Sequence, residues 1–551
     1  MRKKISLLFL FVFISFIMSS CGKKTTLLFL NWGEYVDEAM IEEFEQLYNC
    51  DVVLDLTDSN EKFYSKVSSG TTCYDVVCPS DYMVEKMYDK GMLREIDFER
   101  IPNYNLDNRM PGIKGIAETL EERSSGITNY YVPYLWGTWG IMYSTLKEGL
   151  EEAVTSSPNS WSSLFDRSVL PSDTSVAMYN SHLHDYYVIC KYLGLDYGKE
   201  FSKGSKELEL IYSTVKNMKY DAWGTDDIKK DIVAGNRDLG FMWTGDFLYY
   251  YCENAAKVVM DAYLAGDVSM VEVNEMLAVL TSDKRVYKDK YQIGFDIYIP
   301  DDTIAFCDNF IIPKDAMHYD LALEFINFMC GRATEDSEVD PAFSNTYYVS
   351  YNTPFMDVYD DIVSMKDIDD TDLEVDRKNP YDCDLFWSIY DRAIGIAFEK
   401  YYPKEVDITL DDGTKRTYKG DILESFSRTY IDTINQTFND ARANTKNNKG
   451  AGFMTYNKII LVIYIVYLVV MSCLTFFIFR KDKKIASGGS SERIKEKTLL
   501  EGVVLGGAIG GFAGRLVFHH KTNKKYFSLT IYLGLVLQIA VLIALVLLAV
   551  L

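Results

Sequence analysis

From residue 26 to residue 90, short apolar runs alternate regularly with amphipathic stretches. Met40, Ile41 and Phe44 recur at helical spacing, whereas the apolar runs between the amphipathic stretches are too short for ordinary helices. Strands that alternate with helices predict a parallel α/β sheet, because parallel neighbours need a crossover between them. We therefore expect strands at 26–30, 51–56 and 74–77 and helices at 37–47, 60–67 and 81–90.

Two loops, 31–35 and 79–82, directly follow predicted strands of this sheet. Residues 244–246 follow another predicted strand at 238–243 in the same way. In parallel α/β sheets, ligands bind beyond the carboxyl ends of the strands. We therefore expect a binding site that combines these loops.

The pattern beyond residue 130 predicts a second lobe. Residues 132–137 are interpreted as a crossover between lobes, and 304–312 as a strand. A helix-rich polar insertion is expected at 255–290. With 551 residues the chain is long enough for two lobes and a further region. The expected division is a solute-binding domain at 21–440 (lobe 1 at about 26–136 and 308–352, lobe 2 at about 137–307 and 353–440), a linker at 441–457 and a membrane region at 458–551.

The amino terminus has the features of an export signal. Three basic residues precede an apolar run at 5–18, and Ser19 and Ser20 lead to Cys21. Small residues before a cysteine predict a lipoprotein signal peptide at 1–20, with Cys21 as the lipidated residue. The alternatives are a plain signal peptide or a short anchor, but the run is shorter than the roughly 20 residues of a spanning helix. We expect a domain outside the cytoplasm that a lipid holds at the cell membrane.

Two carboxy-terminal segments, 459–479 and 526–551, are apolar enough to predict membrane-spanning helices, and a Gly-rich segment at 503–518 lies between them. Arg480, Lys481, Lys483 and Lys484 follow the first segment and place that end inside by the positive-inside rule. The binding domain would then lie outside, in agreement with the amino-terminal signal.

The net charge is −23, and the acid excess lies in the first 450 residues, since residues 451–551 hold 12 Lys and Arg against 4 Asp and Glu. An acidic surface disfavours nucleic acid as a partner and favours cationic solutes. Solubility alone is the alternative explanation of the charge. Five histidines are present and none lies in a nucleophile or metal motif, so the sequence predicts neither an enzyme nor a cofactor or metal site.

Acidic and aromatic residues occur together at the predicted strand ends. Carboxylates bind the amines of a polyamine, and aromatic rings pack against its methylenes and attract its ammonium groups. Core packing is the alternative for any single ring. The candidates on this chemistry are Trp32, Glu34, Tyr35, Asp81, Tyr82, Trp243, Asp246, Phe306, Asp308 and Tyr351.

Several segments resemble the bacterial spermidine/putrescine-binding proteins, in order and spacing, over roughly residues 26 to 400. They are Asn-Trp-Gly-Glu-Tyr-Val from Asn31, Tyr-Asp-Val-Val-Cys-Pro-Ser-Asp-Tyr from Tyr74, Val-Pro-Tyr-Leu-Trp-Gly from Val132, Leu-Gly-Phe-Met-Trp from Leu239, Cys-Asp-Asn-Phe from Cys307 and Tyr-Asn-Thr-Pro from Tyr351. The resemblance implies an α/β two-lobe periplasmic-binding-protein fold with hinge crossovers, here followed by C-terminal transmembrane helices. It also implies closure on a polyamine, and an ABC importer whose permease and ATPase are other chains.

The resemblance also implies a role for individual residues. Trp32, Tyr35, Tyr82, Trp243 and Tyr351 would wall the ligand, Glu34 and Ser80 would contact an amine region, and Asp308 would be the main amine-binding carboxylate. This chain departs from the family pattern where Ser181 and His184 replace acids and Phe306 replaces a Trp. Asp81, Asp185 and Asp246 are candidates for substitute charge.

Two further hypotheses remain open on the sequence. One is a membrane-anchored receptor or sensor of polyamines or other organic cations, and the other is a Tyr-rich ferric-ion-binding protein, since 41 tyrosines are available. The carboxy-terminal segment 503–551 resembles a family of small membrane proteins of unknown function and supplies no mechanism.

Overall fold

The computed structural model describes residues 24–156, 161–367, 373–402, 407–409, 415–417, 426–445, 453–487, 496–517 and 525–550. The predicted signal peptide and Cys21 lie outside these residues. The chain divides into two compact units, Met1–Ala443 and Asn444–Leu551.

The strands form one nine-stranded mixed sheet and two small hairpins. They are β1 (Thr25–Trp32), β2 (Cys50–Thr57), β3 (Val76–Val77), β4 (Tyr131–Ser144), β5 (Val176–Tyr179), β6 (Ala222–Gly224), β7 (Leu239–Trp243), β8 (Val286–Tyr287), β9 (Tyr291–Gln292), β10 (Phe295–Tyr298), β11 (Ala305–Ile311), β12 (Asp407–Thr409) and β13 (Lys415–Thr417).

The helices of the first unit connect and cover these strands. They are α1 (Glu38–Tyr48), α2 (Asn60–Ser69), α3 (Asp81–Asp89), α4 (Pro111–Arg123), α5 (Leu150–Thr155), α6 (Ser162–Phe165), α7 (His182–Leu193), α8 (Lys206–Met218), α9 (Asp226–Val233), α10 (Thr244–Leu264), α11 (Val273–Thr281), α12 (Tyr319–Met329), α13 (Pro341–Val349), α14 (Met356–Ser364), α15 (Asp384–Tyr401) and α16 (Arg428–Thr445).

The amino-terminal strands and helices follow the predicted alternation. Helix α1 begins where the Asp37 carboxylate accepts a hydrogen bond from the Ala39 backbone N–H at 3.0 Å, and it buries Ile41 and Phe44. β1 pairs in parallel with both β2 and β3. The carboxyl ends of these strands therefore lie at one edge of the sheet, as the sequence pattern predicts.

Strand β4 joins the two parts of the large sheet, whose order is β2-β1-β3-β11-β4-β7-β5-β6, with β10 also paired to β4. Its 14 residues are buried throughout. The first part of β4 pairs with β11, and the second part pairs with β7. We call the part around β1–β3 the first lobe and the part around β5–β7 the second lobe.

A bulge interrupts the pairing of β11 with β4 between Asp308 and Asn309. Asn309 lies opposite Pro133, which has no backbone N–H to donate to the ladder. A bulge redirects a side chain at the point where regular pairing stops. It therefore gives Asp308 a defined position at the junction of the lobes.

A second crossing lies beside β4. The Trp136 backbone N–H donates to the Asn352 carbonyl and the Asn352 N–H donates back, both at 2.9 Å. The Trp136 indole N–H donates to the Thr353 carbonyl at 2.8 Å. These bonds fix residues 351–353 next to β4, where the lobes meet.

At two points the helix bounds in the first unit differ from the divisions expected from the sequence. Helix α10 begins at Thr244, well before the expected insertion at 255–290, because its first turns also pack in the core, where Phe247 and Leu248 are fully buried. Helix α16 extends to Thr445, so the first residues of the predicted linker at 441–457 are helical. Ala441 is buried against the core although the residues around it are polar.

The second unit is helical where it is described. Its helices are α17 (Phe453–Ser487), α18 (Glu496–Gly502), α19 (Ala508–Val517) and α20 (Lys525–Val550), with a π-helical turn at Val503–Gly507. Phe479, Leu499, Val503, Ala508 and Ile531 form its small core. Gly510 permits the close approach of α19 to α17, because a Cβ there would overlap the Ser472 carbonyl.

Among the described residues, no helix combines the length and the apolar character that crossing a membrane requires. The predicted spans at 459–479 and 526–551 are therefore not supported.

Candidate functional site

Asp308 is the acid at the centre of the candidate site. It lies beside the bulge between β11 and β4 and is 4% exposed. The Tyr35 hydroxyl donates to its Oδ2 at 2.8 Å, and the Ser80 hydroxyl donates to its Oδ1 at 2.6 Å. Both oxygens are therefore held in place by neutral donors from the first lobe.

The donors come from the carboxyl ends of parallel strands. Tyr35 follows β1, and Ser80 follows β3 at the start of α3. Asn60 at the start of α2 fixes Ser80: its Oδ1 accepts from the Ser80 N–H and its Nδ2 donates to the Ser80 hydroxyl, both at 3.0 Å. The parallel arrangement thus brings three chain segments to one carboxylate, as expected at such an edge.

Burial controls the charge of this carboxylate. Desolvation raises the pKa of Asp308 to about 6, against the hydrogen bonds from Ser80 and Tyr35, which lower it. Trp32 also lowers this pKa, although its buried indole N–H does not reach hydrogen-bonding geometry with a partner. No salt bridge to Asp308 occurs within the described parts of the chain. The site is therefore a buried acid that a cation from outside the chain would ionise and neutralise.

Aromatic rings of the first lobe surround this acid. The rings of Tyr35 and Tyr351 meet edge to face with centroids 5.2 Å apart, and those of Phe306 and Tyr351 at 6.0 Å. Trp32 meets Phe63 in the same way at 4.8 Å. Tyr82 is buried, and its hydroxyl donates to Glu61 at 3.4 Å. Such rings provide both apolar surface and an attraction for ammonium groups.

The second lobe contributes a separate aromatic cluster around Trp243. Its ring centroid lies 4.2 Å from Tyr179, 5.4 Å from His184 and 6.4 Å from Trp139. His184 Nδ1 is 2.5 Å from the Ser181 hydroxyl, and burial lowers the pKa of His184 to about 4. The imidazole is therefore neutral at pH 7, and this wall presents rings without a positive charge on His184.

Tyr351 connects the two clusters. Its ring lies so close to Gly245, in the first turn of α10, that a Cβ on Gly245 would overlap it. Burial raises the pKa of Tyr351, and Asp246, Asp308 and Tyr179 raise it further. Acids and rings from both lobes therefore lie near one tyrosine.

Three acids named from the sequence have other partners. Asp81 is fully buried, and its carboxylate accepts hydrogen bonds from the backbone N–H groups of Cys307 at 2.9 Å and Tyr82 at 2.6 Å. Asp246 forms an ion pair with Lys229, Nζ to Oδ1 2.8 Å. Asp185 is fully buried, and its Oδ2 is 3.5 Å from His182 Nδ1. These contacts give each carboxylate a role inside the protein.

Glu34 differs from these acids because it is exposed. It has a φ of 53° in the turn after β1. Burial is the largest cause that raises the pKa of Tyr249 and Tyr250 on α10, and the Glu34 carboxylate raises both further. The turn therefore presents a negative charge from the first lobe towards the second.

Sequence reasoning missed several residues that contact the named ones. They are Asn60, which holds Ser80; Tyr179 and Trp139, which pack on Trp243; and Lys229, which pairs with Asp246. Asn60 begins α2 and Lys229 lies within α9. Polar residues at such positions usually face solvent, so their place in the sequence offered no reason to put them in the site. Tyr179 could have been found, since it ends a strand as Trp243 does.

Two protein families match this chain. The family described as bacterial extracellular solute-binding protein matches residues 30–334, and the family described as protein of unknown function (DUF1294) matches residues 472–527. The first match covers more than half of the chain. The second agrees with the resemblance predicted for the carboxy-terminal segment.

Curated relatives match the first region. The spermidine/putrescine-binding periplasmic protein of Salmonella typhimurium is 28% identical over 225 residues, which cover 40% of this chain and 59% of the relative. A putrescine-binding periplasmic protein of Pseudomonas aeruginosa is 24% identical over 315 residues, which cover 57% of this chain and 75% of the relative. The chain therefore spans less than two thirds of the length of the first relative.

A solved structure supports the fold. A protein from Listeria monocytogenes described as a spermidine/putrescine ABC transporter has a TM-score of 0.50 at 20% identity, over 76% of this chain and 99% of its own. At this identity the likeness concerns the fold alone. Together with the family match it confirms the predicted α/β periplasmic-binding-protein fold, whose large sheet is mixed rather than wholly parallel.

Proposed function

Because this chain belongs to the bacterial extracellular solute-binding protein family, we propose that it captures a spermidine- or putrescine-like polyamine for an ABC importer. The family is one of solute-binding proteins, not of enzymes, so the site is read as a binding site. The names of the curated relatives, which include spermidine/putrescine-binding and putrescine-binding proteins, support this ligand class.

The arrangement around Asp308 carries the proposal. Tyr35 and Ser80 both donate to a carboxylate whose pKa is raised by burial, and the ring of Tyr351 packs between those of Tyr35 and Phe306. An ammonium group gains a charged hydrogen bond there, at roughly 1.5–3 kcal/mol. The rings add about 0.5–2 kcal/mol per cation–π contact. A neutral solute would leave the carboxylate buried without a cation.

Both lobes would hold the ligand. In this proposal Trp32, Tyr82 and Tyr351 line the first-lobe side and Trp243 the second-lobe side, while Glu34 receives the exposed end of the molecule. The contact of Tyr351 with Gly245 supports closure as the signal of the loaded state. Hinge closure is a motion that a partner can recognise.

The importer and the location complete the proposal. The binding domain functions outside the cytoplasm, as the family indicates, and delivers its ligand to permease and ATPase subunits on other chains. Lipidation of Cys21 would hold it at the cell membrane. Mass spectrometry of the protein purified from its native membrane tests this anchor, since a lipidated Cys21 would be the first residue of the mature chain.

A thermal-shift experiment on the full chain tests the ligand. Putrescine or spermidine at 100 times its Kd should stabilise the folded state by about 2.7 kcal/mol. Asp308→Ala should abolish that shift. Asp51→Ala is the matched control, because Asp51 is a half-exposed acid at the start of β2, at the opposite end of the strands.

The result also separates the proposal from the ferric-ion alternative. Stabilisation by ferric citrate and by no amine would overturn the polyamine assignment. Equal loss of the shift in Asp51→Ala and Asp308→Ala would show that the effect is non-specific charge rather than this site.

A further inference from the structure

A buried lysine lies beside the acid at the start of α10. Lys229 on α9 is 6% exposed, and its Nζ donates to Asp246 Oδ1 at 2.8 Å. The same ammonium group lies 6.0 Å from the centroid of the Tyr250 ring. A carboxylate and an aromatic ring are the two groups that an amine ligand requires. Lys229 therefore places a cation of the chain itself in surroundings suited to a ligand amine.

This ion pair lies on the second-lobe side of the candidate site. Asp246 is one residue from Gly245, which contacts the Tyr351 ring. Burial raises the pKa of Tyr250, Lys229 opposes that rise, and Glu34 from the first lobe adds to it. The Lys229–Asp246 pair therefore lies close to Tyr351. The charges of Lys229 and of Glu34 both act on the Tyr250 hydroxyl, so the pair also faces the turn that carries Glu34.

The side chains around Trp243 other than Asp246 offer an amine little negative charge, and Glu253 further along α10 is paired with Lys257. His184 is neutral at pH 7 and hydrogen-bonds Ser181. Asp185 is fully buried next to His182. Asp246 is thus the acid that the second lobe places nearest to Tyr351, and Lys229 neutralises it.

We propose that Lys229 is a specificity-determining residue that occupies a second amine position at Asp246 and so selects short diamines over longer polyamines. This inference rests on the function proposed above. One ammonium group of the ligand binds at Asp308 and the other extends towards exposed Glu34. A third charged amine would approach the Lys229 ammonium group instead of a carboxylate. Because like charges repel, this contact would weaken the binding of a longer polyamine.

Calorimetric titration of the full chain with putrescine and spermidine tests this inference. The wild type should bind putrescine more tightly than spermidine. Lys229→Met keeps an unbranched apolar side chain and removes the ammonium group that neutralises Asp246, so the negative charge of Asp246 then attracts a ligand amine. The affinity ratio should then shift towards spermidine by about tenfold or more, the effect of one charged hydrogen bond.

Two further variants act as controls. Lys229→Arg retains a cation and should leave the ratio near the wild-type value. The double variant Lys229→Met/Asp246→Asn removes the acid as well and should lose the gain for spermidine. Thermal unfolding verifies that each variant folds, and Lys229→Gln replaces Lys229→Met if the latter does not.

The outcomes distinguish the two proposals. If the wild type binds neither amine, the proposed function fails. If amines bind but the ratio is the same in Lys229→Met and the wild type, or if the wild type already prefers spermidine, the role of Lys229 is refuted while polyamine binding stands.

Discussion

At the scale of single residues, Asp308 determines the chemistry of the site. Its carboxylate is buried, accepts hydrogen bonds from Tyr35 and Ser80, and has a pKa near 6 because desolvation outweighs those bonds. The two hydrogen bonds favour the ionised carboxylate, which is the form that binds a cation.

The pH dependence of amine binding should follow this carboxyl group. Putrescine binds the ionised form of Asp308, whose pKa is about 6. Its affinity should therefore be at its maximum above pH 6 and should fall by about tenfold per pH unit below pH 6, as the carboxylate becomes protonated. Calorimetry in two buffers of different ionisation enthalpy should detect proton release on binding near pH 6. A flat affinity from pH 5 to pH 7.5 would show that Asp308 does not bind the amine.

The same group affects the stability of the ligand-free protein. Burial raises the pKa of Asp308 from 3.8 to about 6, so the folded protein holds this proton more tightly than the unfolded chain does. The resulting contribution to the free energy of unfolding is fully present below pH 4 and is lost as the pH rises through 6. Asp308→Asn removes the ionisation and should raise the free energy of unfolding at pH 7 by up to about 3 kcal/mol.

Urea unfolding of Asp308→Asn at pH 4 and at pH 7 checks this expectation. The gain should be present at pH 7 and absent at pH 4. Equal effects at both pH values would mean that lost hydrogen bonds, rather than the charge, dominate.

At the scale of secondary-structure elements, α16 packs on the second lobe. Phe438 is 1% exposed and stacks on His182 with ring centroids 5.3 Å apart. The Tyr430 hydroxyl donates to the Tyr186 hydroxyl at 2.9 Å, and the Arg442 guanidinium donates to Asn180 Oδ1 at 3.2 Å. The helix therefore covers α7 and the end of β5, next to the Trp243 cluster.

Replacing Phe438 tests how much this packing contributes. Phe438→Ala should lower the free energy of unfolding by about 3–5 kcal/mol, because a fully buried ring leaves a cavity. Asp440→Ala on the exposed side of α16 is the matched control and should change it by about 0.5 kcal/mol or less. Chemical unfolding of both variants gives the comparison, and equal effects would contradict the packing role.

The same helix shows where a local pattern misleads. The polar stretch at 441–449 is the reason that the sequence predicts a linker at 441–457, yet α16 continues to Thr445. Ala441 is buried by residues far away in sequence, and tertiary packing overrides the weak local preference.

At the scale of the whole binding unit, function depends on how the two lobes meet. β4 belongs to both parts of the sheet, and residues 351–353 are bonded to it. At the site, the Tyr351 ring packs directly against Gly245 of α10, where a Cβ would overlap it. A side chain at position 245 should therefore keep the lobes apart without disturbing either one.

Gly245→Ala tests closure directly. Its Cβ would overlap the Tyr351 ring, so putrescine affinity should fall at least tenfold, and small-angle X-ray scattering should show a larger radius of gyration with putrescine present. Gly33→Ala is the control, because a Cβ there meets nothing within 4 Å. A Gly245→Ala protein that binds as tightly as the wild type would show that closure does not need this contact.

The amino-acid sequence by itself determined the alternation of strands and helices, the strand ends where acids and rings gather, and the family resemblance. These depend on local periodicity and on motifs, which are readable along the chain. It also suggested membrane spans from apolar composition, which the described helices do not support.

Only the tertiary structure decided which acids are available to a ligand. Asp81 bonds to the backbone of Cys307, Asp246 pairs with Lys229, and Asp308 meets a hydroxyl 273 positions away. The physical reason is that the charge of a carboxylate depends on its burial and on its neighbours in space. Neither quantity is a property of the residue or of its place in the sequence.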